Sequence, residues 1–287
     1  MKKLETVLAH VLLVTACAFA VYPLLWVITL ALSPTGPGAE AHLLPIVSAP
    51  SLDNFRTVVG WNAPSADANE TAGTWLFIHQ LLNSLVVSLA TAFVAIAVAT
   101  PTAYALARFP FVGSKAGLRA LLATQMFPTV ASAVPLYLLL DALHLLDSRG
   151  GLVLVYASTA VPFAIFQLRG SFLAIPVDIE EAAMVDGATR ARAFFLVVLP
   201  AARPAIAVTA LFAFMSAWNE FILAATLLSR KTAYTLPVVI QSYVQEQSTS
   251  WGPFAAGAIL VSVPVMILFY IAQRQLVSGL TQGGVKG

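Results

Sequence analysis

The sequence predicts an all-α polytopic membrane protein with about six transmembrane helices. Of its 287 residues, 59% are hydrophobic and only 10% are charged, and the mean hydropathy is +0.87. A soluble domain carries about a quarter charged residues, because its surface faces water. Because so few charged residues cannot cover a water-facing surface, lipid must surround much of the chain.

Six apolar stretches are long enough to cross a bilayer, which takes about 20 helical residues for about 30 Å of hydrocarbon. They are roughly 8–32, 80–107, 119–141, 151–168, 204–227 and 254–274. Prolines lie within them at positions 23, 101, 128, 135, 162 and 264. Neighbouring helices can satisfy the backbone groups that proline frees, so we expect kinked spans, with hinges as the alternative.

The first stretch has two interpretations. Lys2 and Lys3 before an apolar run are typical of a secretory signal peptide, and 14–17 resembles a lipoprotein cleavage sequence ending at Cys17. The apolar run, however, continues past Cys17 to about Leu30. This exceeds the about 7–15 apolar residues of a signal peptide, so we expect an uncleaved span.

The basic residues indicate the orientation of the chain. With a cytoplasmic N-terminus and six spans, 11 of the 15 Lys and Arg residues fall in cytoplasmic segments and 4 in external ones. Cytoplasmic segments are enriched in these residues. We therefore expect both termini in the cytoplasm, with residues 33–79 and 228–253 as external loops.

The internal loop 169–203 is too long for a simple connector. It holds four acidic and four basic residues, so its net charge is zero. Pro176 suits the first turn of a short helix, and the acidic residues that follow favour the positive end of its dipole. Gly187 permits a turn. A second short helix should follow, with apolar residues 194–199 leading to Pro200.

The spacing of this loop resembles a known motif. Glu181-Ala182-Ala183 is followed after three residues by Gly187, and nine residues later by 197–200, Val-Val-Leu-Pro. This is similar to the EAA loop of bacterial ABC-importer permeases, in which isoleucine stands at the position of Val197. The resemblance implies a coupling helix that docks on a cytoplasmic ATPase subunit, with Glu181 pairing a basic group there. A loop lying on the membrane surface is the alternative, but zero net charge attracts anionic lipid poorly.

The resemblance implies a set of functional residues. The coupling loop would use Glu181, Ala182, Ala183, Asp186, Gly187, Leu199 and Pro200. The sequence from 279 to the end resembles the maltose/maltodextrin branch of the family, whose tail contacts the ATPase subunits; the corresponding residues are Gln282, Gly283, Gly284 and Val285. The 228–253 loop would enter a sugar-binding protein as a "scoop", with Gln241, Tyr243, Gln245 and Gln247 as contacts. A disordered tail and a solvated loop are the respective alternatives.

By this resemblance the fold is an ABC type I importer permease-like bundle. The chain divides into 1–79, a first helix with an external loop, and a permease core at 80–287, whose tail is 275–287. The partners would be a second permease subunit, two ATPase subunits, an extracytoplasmic sugar-binding protein and the lipid of a bacterial inner membrane, with no nucleic acid. Maltose or maltodextrin is the expected cargo; another carbohydrate is the alternative.

Three polar residues within the predicted spans are candidates for a functional role. Asn219 and Glu220 lie about 24 Å along the fifth span, and Asn83 lies in the second. Ionisable residues inside a membrane are costly and normally face the bundle interior. We expect these three either to line the pathway or to pack against the partner permease.

Other functional classes find little support. No nucleophile–base pair, metal-ligand spacing or G-x-x-x-x-G-K-S/T sequence is present, so we expect a non-catalytic subunit without cofactors or metal of its own. ATP and Mg would then bind the partner ATPase. A stand-alone secondary transporter remains an alternative, but it leaves the EAA loop unexplained.

Overall fold

The computed structural model describes residues 2–34, 45, 47, 49–60, 74–244 and 250–283. Within these residues the chain forms helices and no β-strand, which confirms the predicted all-α class. The elements, in chain order, are α1 Lys2–Leu32, α2 Asp53–Val59, α3 Thr74–Arg108, α4 Ser114–Thr124, α5 Thr129–Ala142, α6 Arg149–Ala174, α7 Val177–Val185, α8 Arg190–Ala193, a π-helix Phe194–Val198, α9 Leu199–Ala201, α10 Arg203–Trp218, α11 Ile222–Leu227, α12 Leu236–Gln241 and α13 Trp251–Gly283.

Four helices are long and apolar enough to cross a membrane on their own. Their apolar segments are Leu4–Leu32 in α1, Trp75–Arg108 in α3, Arg149–Ala174, which is all of α6, and Trp251–Gln273 in α13. Two further pairs of helices pass the same test as bent units, α4 with α5 and α8–α9 with α10. The described part of the chain thus holds up to six spans, in agreement with the predicted number.

The stretch 119–141 is not one continuous helix. α4 ends at Thr124 and α5 begins at Thr129, and their axes differ by 95°. Pro128, which precedes α5, has an extended backbone with φ −62° and ψ 126°. Proline lacks the N–H of a helical hydrogen bond and disfavours helical angles at the residue before it. The stretch is therefore broken and not a continuous helix, because hydropathy reports composition and not chain direction.

The stretch 204–227 is also interrupted. α10 ends at Trp218 and α11 begins at Ile222, so residues 219–221 lie between two helices instead of inside one. At its other end α10 makes an angle of 73° with the preceding helix, residues 190–201. Asn219 and Glu220 thus lie at a helix break and not within a continuous span.

The loops contain more helix than expected. Within the region 33–79, predicted as irregular, the described residues include α2 and the first residues of α3. Gly60 ends α2 in the left-handed conformation, with φ 71°. The region 228–253 includes α12, and α13 continues to Gly283, so the described part of the predicted tail 275–287 is helical.

The chain forms two compact units, and the first comprises residues 1–79 and 238–264. Its core contains Ala31, Val58, Ala255 and Ala256. The buried Asn54 of α2 donates from Nδ2 to the carbonyls of Ala31 (3.0 Å) and Ser33 (2.7 Å). Carbonyls at the end of a helix have no partner within it, so Asn54 satisfies the end of α1.

The second unit comprises residues 80–237 and 265–287. A core cluster of this unit joins α3, α6 and the helices after Thr189, with Ala99, Ala103, Ala164, Leu168, Phe172, Phe194 and Val198 among its buried members. Small residues allow membrane helices to approach closely, which suits the alanines of α3 and α6. The 169–203 segment is thereby packed onto two candidate spans.

Candidate functional site

The 169–203 segment folds as a helix, a tight turn and a second helix, as the sequence predicted. Ile175 and Pro176 have extended backbones and end α6, and α7 begins at Val177. Gly187 has φ +91°, and its N–H donates to the carbonyl of Met184, while Ala188 N–H donates to that of Ala183 (both 3.0 Å). These two bonds form a Schellman motif, in which glycine is favoured because it adopts positive φ without strain.

The second helix of the segment is more irregular than predicted. The Thr189 hydroxyl accepts from Arg192 N–H at 3.3 Å and caps α8. The chain then forms the π-helix over 194–198, and α9 carries Pro200 in its first turn. π-helical turns are rare and occur often at functional sites. This one begins directly after α8, six residues beyond the end of the Gly187 turn at Ala188.

A buried ion pair joins α7 to α3, and sequence analysis did not identify it. The Glu180 carboxylate accepts from Arg108 Nε at 3.0 Å and from the Tyr104 hydroxyl. Arg108 also donates from Nη2 to the Ile175 carbonyl at 2.9 Å. The side chains of Glu180 and Arg108 are each only 7% exposed. Buried charges require such partners, so the pair fixes α7 against the end of α3.

Aromatic rings surround this ion pair. Tyr104 packs against Phe109, Phe172 and Phe194, with ring centroids 4.4–5.9 Å apart. The Arg190 guanidinium lies 5.5 Å from the centroid of the Phe109 ring. Aromatic and cation–π contacts stabilise packing beyond the burial of apolar surface. They hold α3, α6 and the π-helix together as one packed unit beside α7.

The predicted coupling residues divide into an exposed set and a packed set. Glu181, Ala182, Asp186 and Gly187 are exposed, and Ala183 is half-buried. Leu199 and Pro200 are also half-buried, and Leu199 packs against the core of the second unit. Leu199 therefore supports the segment from within.

Val185 extends the exposed set. Its side chain is 87% exposed, and it lies on α7 one helical turn after Glu181 and Ala182. Together with Asp186 they form an exposed face, which we call the α7 face: Glu181, Ala182, Val185 and Asp186. A carboxylate pair beside an exposed aliphatic side chain suits contact with a protein partner. Sequence analysis omitted Val185 because its exposure depends on how α7 is rotated against α3.

A second polar cluster lies near the opposite end of α3. The buried Asn83 donates from Nδ2 to the carbonyls of Thr232 (2.8 Å) and Tyr234 (3.0 Å), and its Oδ1 accepts from Arg149 Nε at 2.7 Å. The Ser84 hydroxyl accepts from Leu236 N–H at 2.7 Å. The amide of Asn83, expected to face a pathway or a partner subunit, is thus bonded within the chain.

Glu220 also finds its partners within the chain. Its carboxylate accepts from the Tyr156 hydroxyl (2.8 Å) and from the backbone N–H groups of Leu223 (2.8 Å) and Ala224 (3.0 Å). It therefore caps α11, whose first N–H groups lack helical partners. Asn219 beside it is exposed.

The remaining predicted contacts are described in part. Gln241 is exposed at the end of α12, and Tyr243 is half-buried against the core of the first unit, where burial raises the pKa of its phenol. Gln245 and Gln247 lie outside the described residues. Gln282 and Gly283 belong to α13, and Gly284 and Val285 lie outside the described residues. Among the residues described, no cluster of three or more His, Cys, Asp and Glu side chains forms a metal site.

Up to six candidate spans, with a helix–turn–helix packed against two of them and an exposed acidic face, are typical of a multi-pass membrane permease. Residues 95–282 match the family model described as "Binding-protein-dependent transport system inner membrane component". The chain belongs to this family and is a permease of the ABC importers, a multi-pass protein of the inner membrane. This confirms the family inferred from the EAA spacing.

Individual relatives match nearly the whole chain. It is 37% identical over 284 residues to the maltose/maltodextrin transport system permease protein MalG of Vibrio vulnificus, covering 97% of this chain and 95% of that protein. It is 36% identical over 271 residues to the trehalose transport system permease protein SugB of Mycobacterium tuberculosis, covering 94% and 93%. A crystal structure of a bacterial ABC transporter involved in the import of the acidic polysaccharide alginate matches with a TM-score of 0.72 and 24% identity, covering 95% and 96%. This last likeness concerns the fold alone.

Proposed function

We propose that this chain is one permease subunit of an ATP-driven sugar importer, passing maltose or maltodextrin from an extracytoplasmic binding protein to the cytoplasm. The observation that carries the proposal is the α7 face, which is exposed while the adjacent Glu180 is buried and paired with Arg108. An exposed carboxylate on a firmly held helix suits a partner that pushes on it, because the force is not lost in local movement.

The proposed partners follow from this role. A MalF-like second permease would complete the pathway, and a MalK-like pair of ATPase subunits would bind ATP and Mg and receive the α7 face. The chain itself would be non-catalytic. Exposed Gln241 and the neighbouring residues Tyr243, Gln245 and Gln247 are the proposed contacts with a sugar-binding protein. The tail residues Gln282, Gly283, Gly284 and Val285 are a second proposed contact with the ATPase pair.

The proposed mechanism uses α3 as the connecting element. Closure of the ATPase pair on ATP would displace the α7 face, and the Glu180–Arg108 pair would pass the displacement to the end of α3. Asn83 lies on the same helix, about 37 Å away along its axis. Through Asn83, α3 holds the backbone of 232–234. One rigid helix would thus link the ATPase side to the opposite loop, and the bundle would switch from inward- to outward-facing.

The proposed orientation places both termini, the 169–203 segment and the ATPase pair in the cytoplasm. It rests on the 11 to 4 distribution of basic residues. Residues 229–236 would then lie on the extracytoplasmic side, toward the binding protein.

Trehalose is the alternative cargo, because the trehalose permease and the maltose permease are equally similar to this chain. Uptake by the complete transporter in proteoliposomes separates the cargoes. Radiolabelled maltose, maltotriose and trehalose would be offered with the binding protein outside and ATP inside. ATP-dependent uptake of maltose and maltotriose supports the proposal. Uptake of trehalose alone would identify trehalose as the cargo instead. Uptake driven by an ion gradient without ATP would indicate a secondary transporter and overturn it.

A further inference from the structure

The structure separates the charges of the 169–203 segment, whose sum is zero. Its four acidic residues lie between 178 and 186, on α7 and at its C-terminal end. Residues 187–203 contain Arg190, Arg192 and Arg203 and no acidic residue. The part of the segment after the Gly187 turn is therefore basic, and no acidic residue of its own helices cancels its attraction for anions.

This basic part is a helix that lies close to the membrane plane. Residues 190–201 make an angle of 73° with α10, the longer helix of that bent candidate span, which begins at Arg203. Spanning helices tilt by about 20° on average from the bilayer normal. A helix at 73° to such a span runs nearly along the membrane surface, at the depth where α10 enters the hydrocarbon.

One face of the helix is packed and the other is exposed. The packed face belongs to the core cluster that joins α3 and α6. On the other face, Phe195 and Leu196 have 60% and 64% of their surface exposed, and Arg190 and Arg192 are exposed in the turn before them. Exposed arginines next to an exposed aromatic and an exposed aliphatic side chain are typical of helices that lie in the membrane interface.

The arginines of this face have no anionic partner in the described part of the chain. Neither Arg190 nor Arg192 forms an ion pair with a described residue. The Arg190 guanidinium lies over the ring of Phe109 instead. Just after Phe109, the side chains of Phe111 and Val112 are 52% and 104% exposed. Exposed apolar side chains therefore accompany these arginines on two elements.

We propose that the exposed face of residues 190–196 binds anionic phospholipid at the bilayer surface. Phe195 and Leu196 enter the boundary between headgroups and acyl chains, and Arg190 and Arg192 bind lipid phosphates. Arginine suits this task because its planar guanidinium donates two parallel hydrogen bonds to a phosphate. The inference goes beyond the proposed function and does not depend on which sugar is carried.

Charge complementarity favours lipid over the protein partner of the α7 face. That face carries Glu181 and Asp186, so a partner complementary to it is basic and repels Arg190 and Arg192. An anionic membrane surface attracts them. The bilayer thus holds the second helix of the segment in place, while α7 stays available to the ATPase.

Fluorescence quenching in the complete transporter tests the contact with lipid. Leu196→Cys is made in a Cys17→Ser background and labelled with an environment-sensitive fluorophore, in vesicles of phosphatidylcholine and phosphatidylglycerol. The matched control is Val185→Cys, which is 87% exposed on α7. A nitroxide placed on lipid near the headgroup should quench the label at 196 at least several-fold more strongly than the label at 185. A label at 196 that the lipid nitroxide does not reach, as under a partner subunit, overturns the proposal.

The preference for anionic lipid is measured with the same label. Nitroxide-labelled phosphatidylglycerol should quench position 196 more strongly than nitroxide-labelled phosphatidylcholine. Arg192→Gln, and Arg190→Gln added to it, should each lower this preference by about fivefold. Salt at 1 M should also lower it, because the Debye length falls from about 10 Å at 0.1 M to about 3 Å.

Arg230→Gln is the control for the arginine variants. Arg230 is also exposed, but its guanidinium lies 3.7 Å from the carboxylate of Asp147, so its removal should leave the lipid preference at 196 unchanged. The Arg192 side chain makes no hydrogen bond or ion pair with a described residue, so Arg192→Gln should keep the thermal unfolding midpoint of the unaltered chain. Equal quenching by the two lipids in the unaltered chain, or a preference that both arginine variants leave intact, overturns the proposal.

Discussion

The guanidinium of Arg108, in the last turn of α3, lies 3.0 Å from the buried carboxylate of Glu180, whereas the next residue, Glu181, is exposed. Successive residues on a helix point about 100° apart. Two adjacent glutamates therefore have different tasks: the first fixes α7 to a candidate span, and the second is available to a partner.

Glu180→Ala should destabilise the fold. It leaves the Arg108 side chain, 7% exposed, without its carboxylate, and removing one member of a buried ion pair costs about 3–5 kcal/mol. The free energy of unfolding of the detergent-solubilised chain, from denaturant titration, measures the loss. Glu181→Ala is the control and should change it by less than about 0.5 kcal/mol. Replacing both charged residues, Glu180→Leu with Arg108→Met, should recover much of the lost free energy of unfolding. Equal losses in Glu180→Ala and Glu181→Ala would contradict the assignment of the buried ion pair to Glu180.

Glu181→Lys should abolish ATP-coupled uptake while membrane insertion and thermal stability stay at the level of the unaltered chain. The exposed carboxylate would be replaced by a cation facing the basic group expected on the ATPase. The measurements are sugar uptake, and disulfide crosslinking of Ala182→Cys to cysteines on the ATPase subunit. Lys115→Glu reverses another exposed charge, on α4, and should leave uptake intact. Normal uptake by the Glu181 variant would remove the α7 face from the mechanism.

Gly187→Ala should lower stability, because φ +91° costs a residue with a β-carbon about 1–2 kcal/mol. Space is not the cause, since no atom of the described residues lies within 4 Å of the position of the added carbon. Gly117→Ala is the matched control: its surroundings are equally open, it lies inside α4, and alanine there should stabilise the helix by up to about 1 kcal/mol. Thermal unfolding midpoints of both variants measure the contrast, and a fall of equal size in both would refute the conformational explanation.

The sequence was sufficient for features that depend on local chemistry. Pro176 and Gly187 fix the ends of α7 through backbone angles that nearby residues impose, and the apolar stretches fix the approximate positions of the spans. The family followed from the spacing between Glu181 and Pro200.

Features that depend on distant partners were not predictable in this way. The burial of Glu180 requires Arg108 and Tyr104, more than 70 residues earlier in the chain. Asn83 and Glu220 were assigned to the pathway or a subunit interface because hydropathy does not show the carbonyls of 232–234 or the N–H groups of α11 that satisfy them. The breaks at 125–128 and 219–221 lie inside long apolar stretches, so hydropathy averaged over a span does not reveal them.

Asn83→Ala should loosen the segment 229–236. The buried amide bonds two carbonyls and Arg149, and unsatisfied buried groups cost about 1–3 kcal/mol. Asp147 would still hold one end, since its carboxylate accepts from the N–H groups of Ser229 and Arg230. Hydrogen exchange of the amides in 232–236 should therefore accelerate more than that of 229–230.

Ser88→Ala is the control for this prediction, on the same helix. Ser88 is 1% exposed, and its hydroxyl has no hydrogen-bond partner among the described residues, so its removal should leave the exchange of 229–236 unchanged and stability equal or higher. If both variants accelerated exchange alike, the hold on the segment would come from packing of α3 and not from the Asn83 amide. The proposed transfer of displacement from α7 along α3 would then lack its second connection, the bonds from Asn83 to the backbone of 232–234.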